Sequence, residues 1–397
     1  MAAADSGRKR EANPRVGKIH GMICLSPPPM QIASNTTGML AGLCVAADRD
    51  ARDRCVVVVK GTFFTDDRGE LTLAEEQRPI VAADEHHGDP ATTSVRHECD
   101  FALEKPLTDV IVVGMAVVPG RRPVKKLPVR LEVHDRVKDL MIHGDRRWTN
   151  AMGIRANDAI PFTEMPITFD RAFGGMDDSD GPERVVVETR NPVGLGFHPR
   201  RRARDIEGRP VPNIELLSRP VSSPRDRQGP AGLGCVGRAW EPRVALAGTY
   251  DARWRDERAP FLPEDFDSRY FQCAPIEQQF PHFRGGEKIR CIHMAEREAV
   301  HYVIPSLHVP VEFRFDDDSV VRSGVLDTVT LEPHLELATL VWRASVPLRK
   351  KLTALREILV GERPGREAAS LVGYRDGKPV FAGLSATLDW LRRGGKP

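Results

Sequence analysis

The chain has 397 residues, of which 41% are hydrophobic, 29% charged and 6% aromatic. That is length for two or three domains or one large β domain, with a core that needs no disulfide or metal staple. Its 58 Lys and Arg against 56 Asp and Glu give a net charge of +2, which excludes a general electrostatic attraction to nucleic acid or anionic membrane.

Gly and Pro, at 33 and 32, exceed ordinary usage and predict many turns and few long helices. Seven cysteines (Cys24, Cys44, Cys55, Cys99, Cys235, Cys273, Cys291) never form C-x-x-C. An odd count among apolar neighbours suits small core residues in a reducing compartment. Residues 1–15 are charged with no apolar h-region, and the later GMICLSPPPM is broken by three prolines. Neither reads as a signal peptide, and no stretch approaches the roughly 18 to 20 apolar residues of a membrane span. The expected location is the cytoplasm.

In chain order, residues 1–18 read as a disordered basic tail, 19–346 as a β-rich body and 347–397 as an extension. The β-branched and aromatic run 54–64, the turn Asp66-Asp67-Arg68-Gly69 and the return Leu71-Thr72-Leu73 predict a hairpin. A strand follows at 110–118, closed by Pro119-Gly120, then a second hairpin over 127–134 and 137–143 across Asp135-Arg136. Residues 161–290 hold most of the Pro-Gly punctuation and predict long ordered loops, which in a compact chain are usually functional. Strand patterns resume at 300–307, 309–315, 325–331 and 335–342, with a turn at Asp316-Asp317-Asp318-Ser319. Leu348, Leu352, Leu355 and Leu359 share one face of a predicted helix that Ser345 or Pro347 opens and Gly361 closes. A second short helix is predicted from about Ser385. The expected fold is mainly β: antiparallel sheets, sandwich or barrel-like, with a long loop-rich middle region and a short α-helical C-terminal extension.

Gly232-Leu233-Gly234-Cys235-Val236-Gly237 matches G-x-G-x-x-G. The dinucleotide fingerprint needs a strand before it and a helix after it, and Pro242 falls inside the would-be helix. No P-loop, G-x-S-x-G elbow or H-E-x-x-H is present. The histidine groupings, His86-His87 with His97 and His293 with His301, lack zinc-ligand spacing. Asp177-Asp178-Ser179-Asp180 and Asp316-Asp317-Asp318 read as solvated turns rather than calcium loops. The pattern predicts no cofactor and no catalytic constellation. Arg200-Arg201-Arg202-Ala203-Arg204 is a basic run without the interleaved aromatics of a nucleic-acid surface; it is either a solvated loop or a contact for an acidic protein partner. Trp254, Phe261, Phe266, Tyr270, Phe271, Phe280 and Phe283 crowd into thirty residues among arginines and prolines. They form either a protein-binding surface or a loop core packed on the sheets.

Five short motifs carry a resemblance that covers roughly residues 20 to 345. They are Phe169-Asp170-Arg171-Ala172-Phe173-Gly174-Gly175, Asn191-Pro192-Val193-Gly194-Leu195-Gly196-Phe197, Pro212-Asn213-Ile214-Glu215, Gly248-Thr249-Tyr250-Asp251, and the segment 258–279. In this order they resemble a bacterial family long labelled a domain of unknown function and encoded beside the spike proteins of type VI secretion systems. The resemblance implies an adaptor or chaperone that holds a toxic effector and helps load it onto the spike, a VgrG protein or its PAAR tip, without catalysis. The candidate partner-binding residues are then Arg171, Phe173, Trp254, Phe261, Phe266, Asp267, Tyr270, Phe271 and Gln278, with no nucleic-acid or membrane partner. Two other classes compete: a hydrolase of carbohydrate or peptide assembled from dispersed Asp, Glu and His, and a structural part of the secreted spike complex.

Overall fold

The computed structural model describes residues 30–150, 153–226, 228–348 and 354–362, and the backbone of the hairpin Leu371–Arg375 with Lys378–Phe381. The architecture grows from the run of valines early in the chain. In the strand Asp53–Thr65 every residue from Cys55 to Phe63 is buried, because both faces of the strand are covered. Cys55, Val57, Val59 and Phe63 point into the main core, while Val56 and Val58 join a second apolar cluster on the opposite face. This is the period-2 alternation of a strand. The predicted hairpin forms, with Phe63 opposite Leu73 and the Asp66 carboxylate accepting from the Arg68 and Glu70 amides at 2.9 Å each.

That strand sits second in a seven-stranded sheet. The order is Leu40–Ala47, Asp53–Thr65, Leu337–Pro347, Val325–Glu332, Thr108–Val112 and Gln279–Phe280, with Leu71–Leu73 paired to Asp53–Thr65. A five-stranded sheet runs Ile214–Leu216, Arg136–His143, Lys126–Val133, Lys288–Ile292, Ala299–Val303, and contains the second predicted hairpin, with Val133 opposite Arg136 and the turn at His134-Asp135, one residue before the expected Asp135-Arg136. A four-stranded sheet runs Gln31–Asn35, Leu355–Val360, Pro310–Phe315, Ser319–Ser323. The inner faces of all three meet in one core, in which Phe63, Leu131, Leu140, Ile142, Tyr302 and Phe313 are fully buried. The protein is mainly β, and most of its pairings are antiparallel. Among the described strands three pairs are parallel: Thr108–Val112 on Val325–Glu332, Gln31–Asn35 on Leu355–Val360, and Phe173–Gly174 on Leu195–Gly196.

The C-terminal reading needs a correction. Leu355–Val360, placed by leucine spacing on a helix, is a strand between Pro310–Phe315 and Gln31–Asn35. Leu355, Ile358 and Val360 are buried in the main core. The leucine spacing suits a helix, yet pairing with a strand on each side gives the backbone two ladders of hydrogen bonds and buries Ile358 and Val360, β-branched residues that suit a strand. The segment assigned to an extension thus supplies a strand of the body. The expected tail over 1–18 and the second helix from Ser385 lie outside the described residues.

Within 161–290 regular structure is sparse: two-residue bridges, short 3-10 turns and two helical pieces, Ala203–Ile206 and Ala252–Glu257. This loop-rich stretch is nevertheless stitched to the sheets, since Ile214–Leu216 edges the five-stranded sheet and Gln279–Phe280 edges the seven-stranded one.

Candidate functional site

The outer face of the seven-stranded sheet is polar where its inner face is apolar. The alternation that sends Val57 and Val59 inward sends Lys60 and Thr62 outward; it does the same for Thr339 and Arg343, and for Asp109. None of these reaches solvent, because segments 77–107 and 231–279 lie over them. Each charge meets a partner. Lys60 Nζ donates to Asp100 Oδ2 at 2.7 Å, Arg343 Nε to Asp327 Oδ2 at 2.6 Å, and Lys105 Nζ to Asp109 Oδ2 at 2.8 Å. Arg243 pairs with Glu98, and Arg238 spans Glu98 and Asp84. Buried charges are tolerable only when paired and hydrogen-bonded in this way. Burial alone would discharge Lys105; the carboxylate of Asp109 beside it holds its ammonium above the ordinary lysine range.

Asp109 is the hub. Besides Lys105, its oxygens accept from Gln272 Nε2 at 2.8 Å, the Cys273 amide at 2.9 Å and the Ala274 amide at 3.2 Å. Gln278 is a second strut: its Nε2 donates to the carbonyls of Val110 at 2.7 Å and Leu233 at 3.0 Å, and its Oε1 accepts from Lys138 Nζ at 2.8 Å. These two side chains fasten residues 272–278 to the sheet and so fix the loop that precedes them.

The other short motifs also serve architecture. Asn191 Nδ2 donates to the carbonyls of Phe169 and Phe173 at 2.8 and 3.0 Å, tying two motifs together. Asn213 Nδ2 bonds the His143 carbonyl at 3.1 Å, and buried Glu215 pairs with Arg146 and accepts from the Val221 amide. Burial works against the Glu215 carboxylate, but His143 and Arg146 outweigh it and hold it below the usual range. In the G-x-G-x-x-G run no helix follows; a Cβ on Gly232 would lie 2.6 Å from the Phe169 ring and one on Gly237 2.8 Å from the Trp240 indole. These glycines serve ring packing.

The nine candidate partner residues therefore divide. Phe173, Phe266 and Gln278 are buried, with Phe173 edge-on to Phe197 and Phe266 packed on Tyr270 and Phe271. Phe271 is half-buried against the Val56, Val58 and Val341 cluster. Arg171 is half-exposed and reaches Asp145 at 3.5 Å. Asp267 caps the turn Ser268–Phe271 and clasps Arg269. Tyr270 is half-buried, with the Arg243 guanidinium 5.5 Å from its ring centre. Trp254 and Phe261 face outward together: Trp254 Nε1 donates to the Phe261 carbonyl at 2.8 Å. Sequence reasoning passed over two members of this surface. Tyr250, 55% exposed, stacks edge-on against Trp254 at 4.6 Å, and Ile276, 67% exposed, stands on the strut segment. Both lie inside motifs that carry the resemblance, Tyr250 in 248–251 and Ile276 in 258–279, but nothing local marks either as exposed.

Two depressions flank these residues. One, of about 390 Å3, is walled by Trp254, Arg253, Arg258 and Pro263. The other, of about 270 Å3, is largely apolar and lined by Phe169, Val236, Leu246 and Ile276 with Arg190 and Arg269. Asp251 accepts from the Trp254 amide at 2.8 Å, capping the helix Ala252–Glu257, and Asp265 holds Thr249 through amide and hydroxyl. Rigid aromatic side chains beside open concavities are the makings of a protein-binding surface.

This arrangement coincides with a recognised unit. A family model described as an uncharacterized protein conserved in bacteria, DUF2169, matches residues 50–343. The chain belongs to that family. The matched stretch begins just before the strand Asp53–Thr65 and ends at Arg343, inside the strand Leu337–Pro347, so the DUF2169 unit spans the buried charge layer and the loop platform. No curated protein and no solved structure matches the chain.

Beneath the platform the DUF2169 charge layer encloses a cavity of about 130 Å3, lined by Lys60, His97, Glu98, Thr328, Thr330 and Glu332 among others. Its Asp100, Glu98 and Glu332 are each held by a cation. Among the described residues no group of three or more His, Cys, Asp or Glu could hold a metal ion, and no helix there is long and apolar enough to cross a membrane. Burial, reinforced by Arg96 and Lys60, depresses His97 to about 4, and burial does the same to His198. Both are neutral in the fold over a range where the unfolded chain takes up protons. Stability is then complete above the ordinary histidine range near 6.5 and falls as pH drops towards 4. Urea titrations at pH 7.5 and 5 are expected to show the loss, and His97→Gln to reduce it; identical midpoints at both pH values would contradict the assignment.

Proposed function

We propose that this protein is an adaptor of a type VI secretion system: it binds a toxic effector in the cytoplasm and helps load it onto the VgrG or PAAR spike. The observation that carries this reading is the aromatic surface in which exposed Tyr250 and Phe261 flank half-buried Trp254, with exposed Ile276 on the anchored segment 272–278. Two of the motifs that resemble the adaptor family, 248–251 and 258–279, brace this surface through Asp251 on the Trp254 amide and Asp265 on Thr249, as preorganised binding requires. The competing hydrolase would need a free acid and base in a pocket, whereas three of the four carboxylates lining the cavity, Asp100, Glu98 and Glu332, are engaged by Lys60, Arg243 and Arg78.

The reading is tested by co-purifying the protein with effector and spike proteins encoded beside it, and by following secretion in a deletion strain. Association with both and loss of effector export are expected. Failure to bind either, with secretion intact, would reject it. Trp254→Ala and Tyr250→Ala are each expected to weaken one partner by more than about 1 kcal/mol, as interface hot spots do, with the melting temperature unchanged. Isothermal titration of the purified variants reads this directly.

A further inference from the structure

A different part of the loop-rich stretch carries its own apolar cluster and an unusual charge. Trp148, Ile206, Val211 and Val221 form a satellite core apart from the main one. They support a small sheet ordered Arg155–Ala156, Arg146–Thr149, Pro210–Val211, and the helical turn Ala203–Ile206. Residues 200–227 contain eight arginines, no lysine and four acids, a local charge of +4 in a chain of +2. The rest of the sequence therefore sums to a slightly negative charge.

The fold redistributes that charge. Arg200 and Arg201, prominent in the basic run, are neutralised by Asp180 and Asp178. Arg146 turns inward to Glu215. Strand alternation does the opposite for its neighbour: since Trp148 faces the satellite core, Arg147 and Thr149 face away from it. Arg155 stands directly opposite Thr149 and shares that outward face. Arg147, Arg155 and Arg202 are exposed, and with Arg209 they have no carboxylate partner among the described residues. Arg147 and Arg209 instead donate to the carbonyls of Gly208 and Asp205, at 2.6 and 3.1 Å, bonds that hold the guanidinium groups without neutralising them.

We infer that this face docks an acidic polypeptide segment of a partner protein. Guanidinium groups match carboxylates in bidentate geometry, and a locally positive face on a nearly neutral chain steers acidic partners to itself. A single-stranded nucleic acid would want exposed rings for stacking, whereas Trp148 of the satellite core and the neighbouring Phe197 and Phe173 are buried. The surface uses other elements than the aromatic platform, and the inference stands on charge complementarity whether or not the adaptor reading holds.

The test uses the full chain and two probes of equal length, a 20-residue polyglutamate peptide and a 20-nucleotide oligothymidylate, followed by fluorescence anisotropy from 50 to 300 mM salt. Saturable binding of polyglutamate that weakens with salt is expected, with Arg147→Glu/Arg155→Glu/Arg209→Glu lowering affinity at least tenfold. Because charge reversal could disturb the small sheet, Arg147→Gln/Arg155→Gln is measured alongside, with an expected loss of about threefold or more and an unchanged melting temperature. Unaltered polyglutamate affinity in the folded glutamine variant would overturn the inference. So would tighter binding of oligothymidylate than of polyglutamate at equal salt.

Discussion

Asp109→Ala is expected to destabilise the protein by about 3–5 kcal/mol, the cost of breaking a buried ion pair and stranding its partner. The carboxylate is wholly buried and serves five donors at once: the Lys105 ammonium, the Gln272 amide group, the Cys273 thiol and the backbone N–H groups of residues 273 and 274. Removing it leaves an ammonium without a counter-charge under the loop platform. Two measurements separate this cause from simple loss of packing. Urea unfolding of Asp109→Ala should show a lower midpoint, and Lys105→Met combined with Asp109→Leu should recover much of the loss, since an apolar pair can replace a buried ion pair. Partner affinity through Trp254 should fall in Asp109→Ala even where the protein remains folded, because the struts rather than the aromatics have been cut. A variant with full stability and full affinity would show that residues 272–278 are held by something else.

Gly174→Ala should be nearly as damaging for a different reason. A Cβ on Gly174 would stand 2.2 Å from the carbonyl oxygen of Asn191 and 2.8 Å from its Cβ. The obstruction is backbone, and that backbone is pinned because Asn191 itself ties Phe169 to Phe173. No side chain can swing aside, so the expected cost is about 3 kcal/mol or more, the upper end of overpacking. Gly181 is the control: its φ of 99° is left-handed but nothing lies within 4 Å of its would-be Cβ, so Gly181→Ala should cost only about 1–2 kcal/mol of backbone strain. Equal melting temperatures for the two variants would refute the close approach at Gly174.

Much of the fold was legible because its strands announce themselves by local chemistry. The valines of 56–59, the Asp-Gly turn at 66–69 and the alternation across Asp135-Arg136 each specify a strand or hairpin without reference to distant residues. The loop-rich character of 161–290 was readable from glycine and proline for the same reason. The function of the polar strand residues was not legible. Lys60 ends a run of valines, Asp109 opens an apolar run, and Arg343 follows Trp342 within a strand; each hints at a charge facing inward, but nothing local says that Asp100 will meet Lys60 or that Asp327 will meet Arg343.

The candidate surface was half legible. Crowded aromatics drew notice to 254–283, yet a period could not sort them into Phe266, which packs inward, and Trp254, which lies with Phe261 on the surface, because loops have no period. Ile276 is exposed only because Gln278 anchors the turn beneath it. Likewise the basic run 200–204 was visible, but which arginines stay free depended on where Asp178, Asp180 and Glu215 arrive.

By itself, then, the sequence determined the class of fold, the hairpins and the placement of the turn-rich stretch, since these follow from backbone sterics and near-neighbour alternation. Only the tertiary structure decided that Leu355–Val360 is a strand, because a leucine spacing compatible with a helix yields when two open sheet edges offer it hydrogen bonds and burial. It alone decided that the outer face of the large sheet is a closed layer of ion pairs, because most of them join distant residues, Lys60 with Asp100 and Glu98 with Arg243 among them. It also decided which aromatics and arginines remain outside to meet a partner.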